Sequence, residues 1–299
     1  MIIALVGVGC ALEPSCPPID AAVTDTVLSI DTPQGHKVTA TLYAPVAPGE
    51  YPLVVFSHGA FAAPERYDTL LRHWASAGVV VAAPLHIDSE LVEKATPPTP
   101  QQVWLARQQD VRALALVPTA LTAALPSGVT TTANNWIAAG HSYGAFVAQA
   151  AAGATSAWED LPAPNVTPSA IIALSPPGPI PTFIEPDAWA TMRGPHMVLT
   201  GTADILPGFI DDWRVHAAAY EQAVNGDQWL WVGEGVDHYF GRLMGRLDRE
   251  TAPQTAGFDA ALATTRAFLD SYASPDRPAT CRAALAPYRN DVAMLTRKP

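Results

Sequence analysis

The sequence predicts an α/β protein with a mostly parallel central sheet, an N-terminal antiparallel hairpin and helices on both faces of the sheet. Two observations support this fold class. Short apolar runs alternate with segments of helical periodicity from residue 53 to residue 272, and two alternating strands joined by a turn come before them. Continuous apolar runs are typical of strands covered on both faces, and their alternation with helices favours parallel pairing.

The hairpin is predicted from a period of two. Residues 23–30 and 37–43 each alternate apolar and polar side chains, and the turn sequence Pro33-Gln34-Gly35 lies between them. This alternation indicates half-buried strands, and proline and glycine favour a turn. We therefore expect an antiparallel pair ahead of the parallel sheet.

The parallel part is predicted to contain alternating buried strands and helices. The strands are expected at residues 53–56, 79–83, 136–139, 171–174, 197–200 and 229–232. The helices are expected at residues 65–77, 101–116, 143–152, 209–224 and 256–272. No shift in composition and no internal repeat divides the chain. We therefore predict one domain over residues 21–299, with a C-terminal extension from about residue 275.

Composition excludes several classes of function. The chain has 299 residues, of which 49% are hydrophobic and 15% charged, and its net charge is −11. A nucleic-acid partner or an anionic membrane surface would require a basic face. The apolar fraction is too high for a disordered chain, and no apolar run approaches the ~20 residues of a membrane span.

The three cysteines lie near the ends of the chain. Residues 1–20 begin with a short apolar stretch and contain Cys10 and Cys16, whereas Cys281 lies near the far end. We interpret residues 1–20 as a residual export signal or an N-terminal extension. Export to the periplasm or outside would make a Cys16–Cys281 disulfide plausible and leave Cys10 for a lipid anchor, while a cytoplasmic location stays open.

A nucleophile is predicted within Gly140-His141-Ser142-Tyr143-Gly144. This G-x-S-x-G pattern is weak alone, but here a buried strand precedes it and a helix rich in small residues follows it. A sharp strand-to-helix turn holds the serine in a strained conformation at the carboxyl edge of the sheet. Ser142 is therefore the predicted nucleophile, and it needs an adjacent base.

His238 is the predicted base, because it lies in a loop just after the last buried strand. The other histidines after the serine are His196, at the opposite end of a strand, and His216, inside a predicted helix. For both of these we expect structural roles.

Asp204 is the predicted acid. It follows a buried strand between the serine and the histidine in the chain, where it would orient His238 and stabilise its protonated form. The rivals are Asp187, in a loop, and Asp211 or Asp212, near the start of a predicted helix.

Two backbone N–H groups are expected to form an oxyanion hole. One belongs to Tyr143, the residue after the nucleophile, and the other comes from the loop after the first buried strand. Ala60 is the predicted second donor, with Phe61 as the alternate. His58, in the same loop, is expected to support the loop rather than to react.

These motifs resemble the α/β-hydrolase superfamily over roughly residues 25–272. Within it the chain is similar to bacterial esterases like platelet-activating-factor acetylhydrolase, dienelactone hydrolase and cutinase, through Leu53-Val54-Val55-Phe56-Ser57-His58-Gly59, Gly78-Val79-Val80-Val81-Ala82-Ala83-Pro84 and residues 140–144. The resemblance implies a serine ester hydrolase that needs no cofactor. Ser175 stands where the mammalian acetylhydrolases carry their acid, so the likeness to dienelactone hydrolases and cutinases implies Asp204 instead.

The substrate is expected to be a small or lipid-like ester with a short or medium acyl chain in an open cleft. Phe61, His141, Ser175 and Pro176 are the predicted substrate-binding residues, together with the apolar loop 175–189. Polyester or phospholipid hydrolysis, and amide, thioester or lactone hydrolysis by the same residues, are the alternatives. A non-catalytic binding protein ranks last. No metal is expected, because the sequence has no HExxH and its histidines are scattered. The oligomeric state is left open.

Overall fold

The computed structural model describes residues 21–32, 35, 37–158, 160–161, 167–273 and 284–298. The strands are β1 Val23–Asp31, β2 Lys37–Pro45, β3 Gly49–Ser57, β4 Val80–Pro84, β5 Val129–His141, β6 Ala170–Leu174, β7 His196–Gly201, β8 Gln228–Gly233, β9 Tyr288–Arg289 and β10 Ala293–Lys298. The α-helices are α1 Asp68–Ser76, α2 Pro100–Leu116, α3 Pro118–Ala124, α4 Tyr143–Ala151, α5 Ala218–Gln222 and α6 Thr255–Tyr272. Two 3₁₀ segments, Pro64–Tyr67 and Trp213–Ala217, lead into α1 and α5.

The strands form one sheet in the order β1-β2-β4-β3-β5-β6-β7-β8-β10-β9. The central strands from β4 to β8 pair in parallel, and β1 and β2 form an antiparallel hairpin that joins β4. The predicted fold class is therefore confirmed. Parallel pairing brings the carboxyl ends of β3, β5, β7 and β8 to one edge, where the loops that follow them meet.

The sheet separates two hydrophobic cores, because successive strand side chains point to opposite faces. On β3, Val55 belongs to the core under α2, α3 and α4, whereas Phe56 belongs to the core under α1 and α6. Trp104 lies in the first core and Trp74 in the second, and both side chains are fully buried. The continuous apolar strands of the sequence follow from this double coverage.

Helix α2 begins at a capping box. The Thr99 side chain accepts a hydrogen bond from the Gln102 N–H, and the Gln102 side chain accepts one from the Thr99 N–H. Two of the N–H groups at the helix start are satisfied in this way, and Pro100 occupies a position where no N–H is needed. The cap fixes the start of a helix that carries charged side chains toward the end of β3.

Two elements differ from the sequence expectations. The predicted helix 209–224 is wrong in its first part: Leu206 and Ile210 form an isolated bridge around Gly208, whose φ is +75°, and regular α-helix covers only α5. The C-terminal extension contains two strands that the sequence analysis did not predict, β9 and β10, and β10 pairs antiparallel with β8.

The N-terminal extension, Cys10 and the predicted Cys16–Cys281 disulfide lie outside the described residues. Export and lipid anchoring therefore stay predictions. No helix within the described ranges is both long and apolar enough to cross a membrane.

Loss of packing on β10 should destabilise the whole fold. Leu295 is 2% exposed in the core beneath α6, so Leu295→Ala should lower the free energy of unfolding by about 2–5 kcal/mol in urea. Val27→Ala on β1 is the control, because Val27 is 68% exposed and its loss should change stability by less than about 0.5 kcal/mol. Equal small losses would show that β10 is not part of the cooperative unit.

Candidate active site

Ser142 lies at the sharp turn between β5 and α4. Its φ of +54° falls in the left-handed region, and its N–H donates to the Leu174 carbonyl at 2.8 Å. Glycine is required on both sides of this turn. A Cβ at Gly140 would lie 2.2 Å from the Gly144 carbonyl oxygen, and a Cβ at Gly144 would lie 2.0 Å from the Ser57 carbonyl oxygen. The strained turn predicted from the sequence is therefore present.

Asp204 and His238 meet in the loops that follow β7 and β8. His238 Nδ1 lies 2.7 Å from Asp204 Oδ1, and the Thr200 hydroxyl donates to Asp204 Oδ2 at 2.8 Å. Burial alone would raise the pKa of Asp204, but the positive charge that His238 carries when protonated and the hydrogen bonds from His216 and His238 hold it well below its usual range. Because an ionised carboxylate only accepts, Nδ1 of His238 carries the proton.

The other nitrogen of His238 is poised to accept a proton. His238 is 2% exposed, and its Nε2 has no hydrogen-bond partner among the described residues. A buried polar atom without a partner is unusual in a folded protein. With Nδ1 protonated, Nε2 presents a lone pair, which is the form of imidazole that acts as a base.

His216, which the sequence analysis treated as structural, is a second histidine on Asp204. Its Nε2 lies 3.0 Å from Asp204 Oδ1, and its Nδ1 lies 2.7 Å from the Pro176 carbonyl oxygen. Both neighbours are acceptors, so both ring nitrogens carry protons. Burial opposes this charge, but the hydrogen bond to Asp204 and its negative charge outweigh burial and raise the pKa of His216. Asp204 therefore lies between two histidines. No pattern in the sequence signals this contact, because His216 follows the break at Pro207-Gly208.

His141 connects three loops of the site. Its Nε2–H donates to the His238 carbonyl at 2.9 Å, and its Nδ1 accepts from the Tyr67 hydroxyl at 2.8 Å. The same hydroxyl accepts from the Gly59 N–H at 3.0 Å. Burial, together with the charge that His238 carries when protonated, lowers the pKa of His141 to about 3, so this ring is neutral. His141 lines the cleft, but both of its nitrogens already have partners within the protein.

The hydrogen bonds of the loop after β3 distinguish the two candidates for the second oxyanion donor, Ala60 and Phe61. The Phe61 N–H is occupied, because it donates to Asp88 Oδ2 at 3.2 Å. No hydrogen bond uses the Ala60 N–H within the described part of the chain, and Ala60 lines the cleft beside Ser142. Tyr143 is the first residue of α4, so its N–H lacks an intrahelical partner. This arrangement favours Ala60 over Phe61.

A cleft of about 520 Å³ opens over Ser142. Its walls are largely apolar and include Phe61, Ala62, Pro177, Ile180, Leu206 and Phe209. Phe61 and Phe209 are 67% and 60% exposed. The cleft therefore presents apolar surface to solvent at its mouth, which is typical of a binding site. At another part of the wall, two ion pairs, Arg66–Glu90 and Arg246–Asp248, supply charge of both signs.

Two of the predicted substrate-binding residues lie away from the cleft surface. Ser175 is buried with φ +47°, and its N–H donates to the Leu199 carbonyl. Pro176 offers its carbonyl to His216. Their neighbour Pro177 reaches the cleft, as does Ile180. Farther along the same loop, Phe183 packs with Phe146 and Trp104 in the core.

A second Ser–His–Asp chain lies beneath the loop after β3. Ser57 Oγ is 2.8 Å from His86 Nε2, and His86 Nδ1 is 2.7 Å from Asp110 Oδ2. All three side chains are buried and none lines the cleft. A substrate cannot reach this serine, so the chain serves to hold the strand end.

Asp204, His216 and His238 also place one donor atom each within 4.8 Å of one another, the one such group found among the described residues. The short hydrogen bonds from both histidines already satisfy the carboxylate. These contacts account for the cluster without a cation.

The fold and the strand-end residues together define an α/β-hydrolase. Residues 20–180, more than half of the chain, match the chlorophyllase family. The chain therefore belongs to the chlorophyllase family, whose members are carboxylic ester hydrolases.

A crystal structure of a Klebsiella pneumoniae subsp. pneumoniae MGH 78578 protein, provisionally assigned as a dienelactone hydrolase, is similar in fold. The TM-score is 0.55, with 18% sequence identity over 81% of this chain and 98% of that chain. At this identity the similarity concerns the fold alone. No curated protein is significantly similar to the chain in sequence.

The charge on His216 predicts a pH-dependent contribution to stability. Its folded pKa is raised, so this contribution is complete below the ordinary value near 6.5 and is lost as pH rises through the folded pKa. His216→Gln should therefore lower the free energy of unfolding more at pH 6 than at pH 9, as measured in urea.

His196→Gln is the matched control for this measurement. Burial lowers the pKa of His196 to about 3, so the stability that depends on its neutral form is lost as pH falls below about 6.5. The loss on substitution should accordingly be smaller at pH 6 than at pH 9, opposite to His216→Gln. The same trend in both variants would contradict the assignment of charge to His216.

Proposed function

We propose that the protein is a serine carboxylic-ester hydrolase in which Ser142 is the nucleophile, His238 the base and Asp204 the acid that orients the base. One observation carries this proposal: Nδ1 of His238 is held by an ionised Asp204, while its Nε2 is buried without a partner among the described residues. The strained Ser142 lines the cleft. A nucleophile, a base and a carboxylate that orients the base form the general arrangement for acyl transfer, and we expect Ser142 Oγ to approach His238 Nε2 when substrate binds.

In the proposed mechanism, Ser142 Oγ attacks the ester carbonyl carbon as Nε2 of His238 takes the hydroxyl proton. The tetrahedral oxyanion accepts hydrogen bonds from the N–H groups of Ala60 and Tyr143. Collapse breaks the bond to the alcohol oxygen, which takes the proton from His238. Water then attacks the acyl-enzyme while His238 takes its proton. The bond from the acyl carbon to Ser142 Oγ breaks, Oγ takes the proton back from His238, and the carboxylic acid leaves.

Asp204 would act through position and charge. It keeps the proton of His238 on Nδ1 and stabilises the imidazolium that forms during attack. The protonated ring of His216 already forms an ion pair with this carboxylate. Asp204 therefore remains ionised throughout the cycle and only accepts hydrogen bonds. His141 would support the reaction indirectly, because it fixes the His238 backbone to the loop that carries Ala60.

The substrate class follows from the walls of the cleft. Exposed aromatic side chains at the mouth and proline and aliphatic side chains below them favour an uncharged, apolar acyl or alcohol group. The family name indicates chlorophyll as a substrate of relatives, and the open, aromatic mouth would suit an ester whose bulky part stays outside. The alternative substrates are polyesters, phospholipids, amides, thioesters and lactones. Measuring turnover of each of these beside p-nitrophenyl esters would separate the alternatives.

Removal of the nucleophile should abolish turnover. Ser142→Ala should lower kcat on p-nitrophenyl butyrate by at least about 10⁴-fold with the fold intact, because acyl transfer then loses its covalent route. A fluorophosphonate should label the wild-type protein at Ser142, identified by peptide mass spectrometry.

Ser57→Ala provides the matched control, since Ser57 is the buried serine of the second Ser–His–Asp chain. It should retain labelling at Ser142. Wild-type turnover by Ser142→Ala, or an adduct at Ser57, would overturn the assignment.

Chain-length preference should depend on the mouth of the cleft. Phe209→Ala should raise KM for p-nitrophenyl hexanoate by about three- to tenfold, because apolar contact with the longer acyl chain is lost. KM for the acetate should change much less. Val224→Ala is the control, because Val224 is 72% exposed and does not line the cleft. An equal change for both esters would argue against acyl binding at Phe209.

A further inference from the structure

A buried ion pair lies between α2 and the loop after β3. Arg107 Nε donates to Asp88 Oδ1 at 2.9 Å, and its Nη2 donates to Asp88 Oδ2 at 2.8 Å. The side chains are 0% and 5% exposed. Removing two charges from water costs several kcal/mol per ion, so such a pair is weak evidence for stability by itself. Its remaining hydrogen bonds indicate what it holds.

Most of the remaining hydrogen bonds go to the loop that contains Ala60, and one goes to the Ser57 hydroxyl at the end of β3, at 3.4 Å. Arg107 Nη1 donates to the His58 carbonyl at 2.6 Å, and Nη2 donates to the Gly59 carbonyl at 3.1 Å. From the other partner, Asp88 Oδ2 accepts the Phe61 N–H at 3.2 Å. The ion pair therefore fastens the backbone immediately before and after Ala60.

Because the peptide bond is planar, holding the Gly59 carbonyl also fixes the direction of the Ala60 N–H. The Gly59 carbonyl and the Ala60 N–H belong to one peptide unit, and in a trans peptide they point in opposite directions. Arg107 draws the carbonyl toward the protein interior, and His58 Nδ1 lies 2.8 Å from the same oxygen. The Ala60 N–H consequently faces the cleft, where Ala60 forms part of the wall.

The same guanidinium also contacts the residue that carries the other donor. The Arg107 Cζ lies 4.8 Å from the centre of the Tyr143 ring, within the range of a cation–π contact. One side chain thus contacts the peptide that carries one predicted oxyanion donor and the ring of the residue that carries the other. Arg107 itself is absent from the cleft wall, so it acts through these neighbours.

We propose that Arg107, oriented by Asp88, is a positioning residue that fixes the Gly59–Ala60 peptide so that its N–H faces the reacting carbonyl oxygen. This inference rests on the proposed ester hydrolysis. A donor aimed at the oxyanion strengthens the transition state more than the bound substrate, so its misplacement lowers kcat and leaves KM nearly unchanged.

The test compares Arg107→Lys and Asp88→Asn with wild type on p-nitrophenyl butyrate. Lysine keeps a positive charge but cannot form the forked contacts to Asp88 and two carbonyls. We expect Arg107→Lys to lower kcat about 10- to 100-fold, with KM within about threefold of wild type. Asp88→Asn keeps an oxygen acceptor and similar volume, so its expected loss in kcat is smaller, about three- to tenfold.

Binding of a transition-state analogue shows whether a lower kcat comes from a misplaced oxyanion donor or from a general loss of structure. Butylboronic acid forms a tetrahedral adduct with a reactive serine, and one adduct oxygen occupies the place of the oxyanion. Its inhibition constant should rise by the same factor by which kcat falls in each variant. Arg112→Lys is the matched control: it lies on the same helix, is half-buried and donates to the Leu161 carbonyl instead of the loop. It should leave kcat and the inhibition constant unchanged.

Each outcome decides one question. An unchanged kcat in folded Arg107→Lys and Asp88→Asn, a rise in KM alone, or a loss of kcat without weaker boronic acid binding overturns the positioning role. Should Arg107→Lys fail to fold, as judged by circular dichroism, Asp88→Asn decides by the same criteria. Failure of the proposed function would be visible separately, as wild-type protein that neither hydrolyses the ester nor takes a fluorophosphonate at Ser142.

Discussion

The site depends on the direct contact between the start of α4 and the end of β3. The backbone of Gly144 lies so close to the Ser57 carbonyl that no Cβ fits between them. This contact allows the chain to leave β5, turn through the left-handed conformation of Ser142 and enter α4 without separating the two elements. The Leu174 carbonyl then holds the Ser142 N–H from the neighbouring strand. Strain of this kind persists only where the surroundings determine it fully.

Around that turn, buried charged groups order the backbone on both sides of the serine. Asp204 receives two histidines and a threonine, and its second histidine also fixes the Pro176 carbonyl. The pair of Asp88 and Arg107 fixes the loop on the opposite side of the serine. In a medium of low dielectric constant, each satisfied hydrogen bond is strong and each unsatisfied one is costly. These networks therefore leave the flanking loops few alternative conformations, at the expense of desolvating the charges.

The part of the site that is encoded locally could be predicted from the sequence, whereas the supporting contacts could not. Ser142, Asp204 and His238 each follow a continuous apolar strand, so their position at one edge of the sheet follows from parallel topology alone. Tyr67 and His141 are 74 residues apart, and nothing in either local pattern indicates their hydrogen bond. The helical spacing of apolar residues at 209–224 also led to a helix prediction that was wrong in its first part.

The reason for that last error is physical. Trp213, His216 and Tyr220 have helical spacing, but Pro207 and Gly208 favour a turn, and the chain forms a bridge there before a short 3₁₀ segment begins. The loop 175–189 shows a similar limit. Its apolar residues could belong to the cleft or to the core. Ser175 is buried with a φ of +47°, whereas Pro177 lines the cleft.

The pairing of β10 with β8 has a consequence for the order of events during synthesis. The strand that leads into the His238 loop acquires its outer neighbour only from residues 293–298, and the Glu234 N–H at its end donates to the Val292 carbonyl. Strand β3 also gains a distant later neighbour, β5, but β5 is made before the residues of the His238 loop. The sheet beside the base is thus the last to close, through a contact between segments far apart in the chain, and such non-local pairing forms slowly. A nascent chain can therefore complete the turn at Ser142 well before the strand beside the His238 loop is covered, which separates the time at which the nucleophile is shaped from the time at which its base is secured.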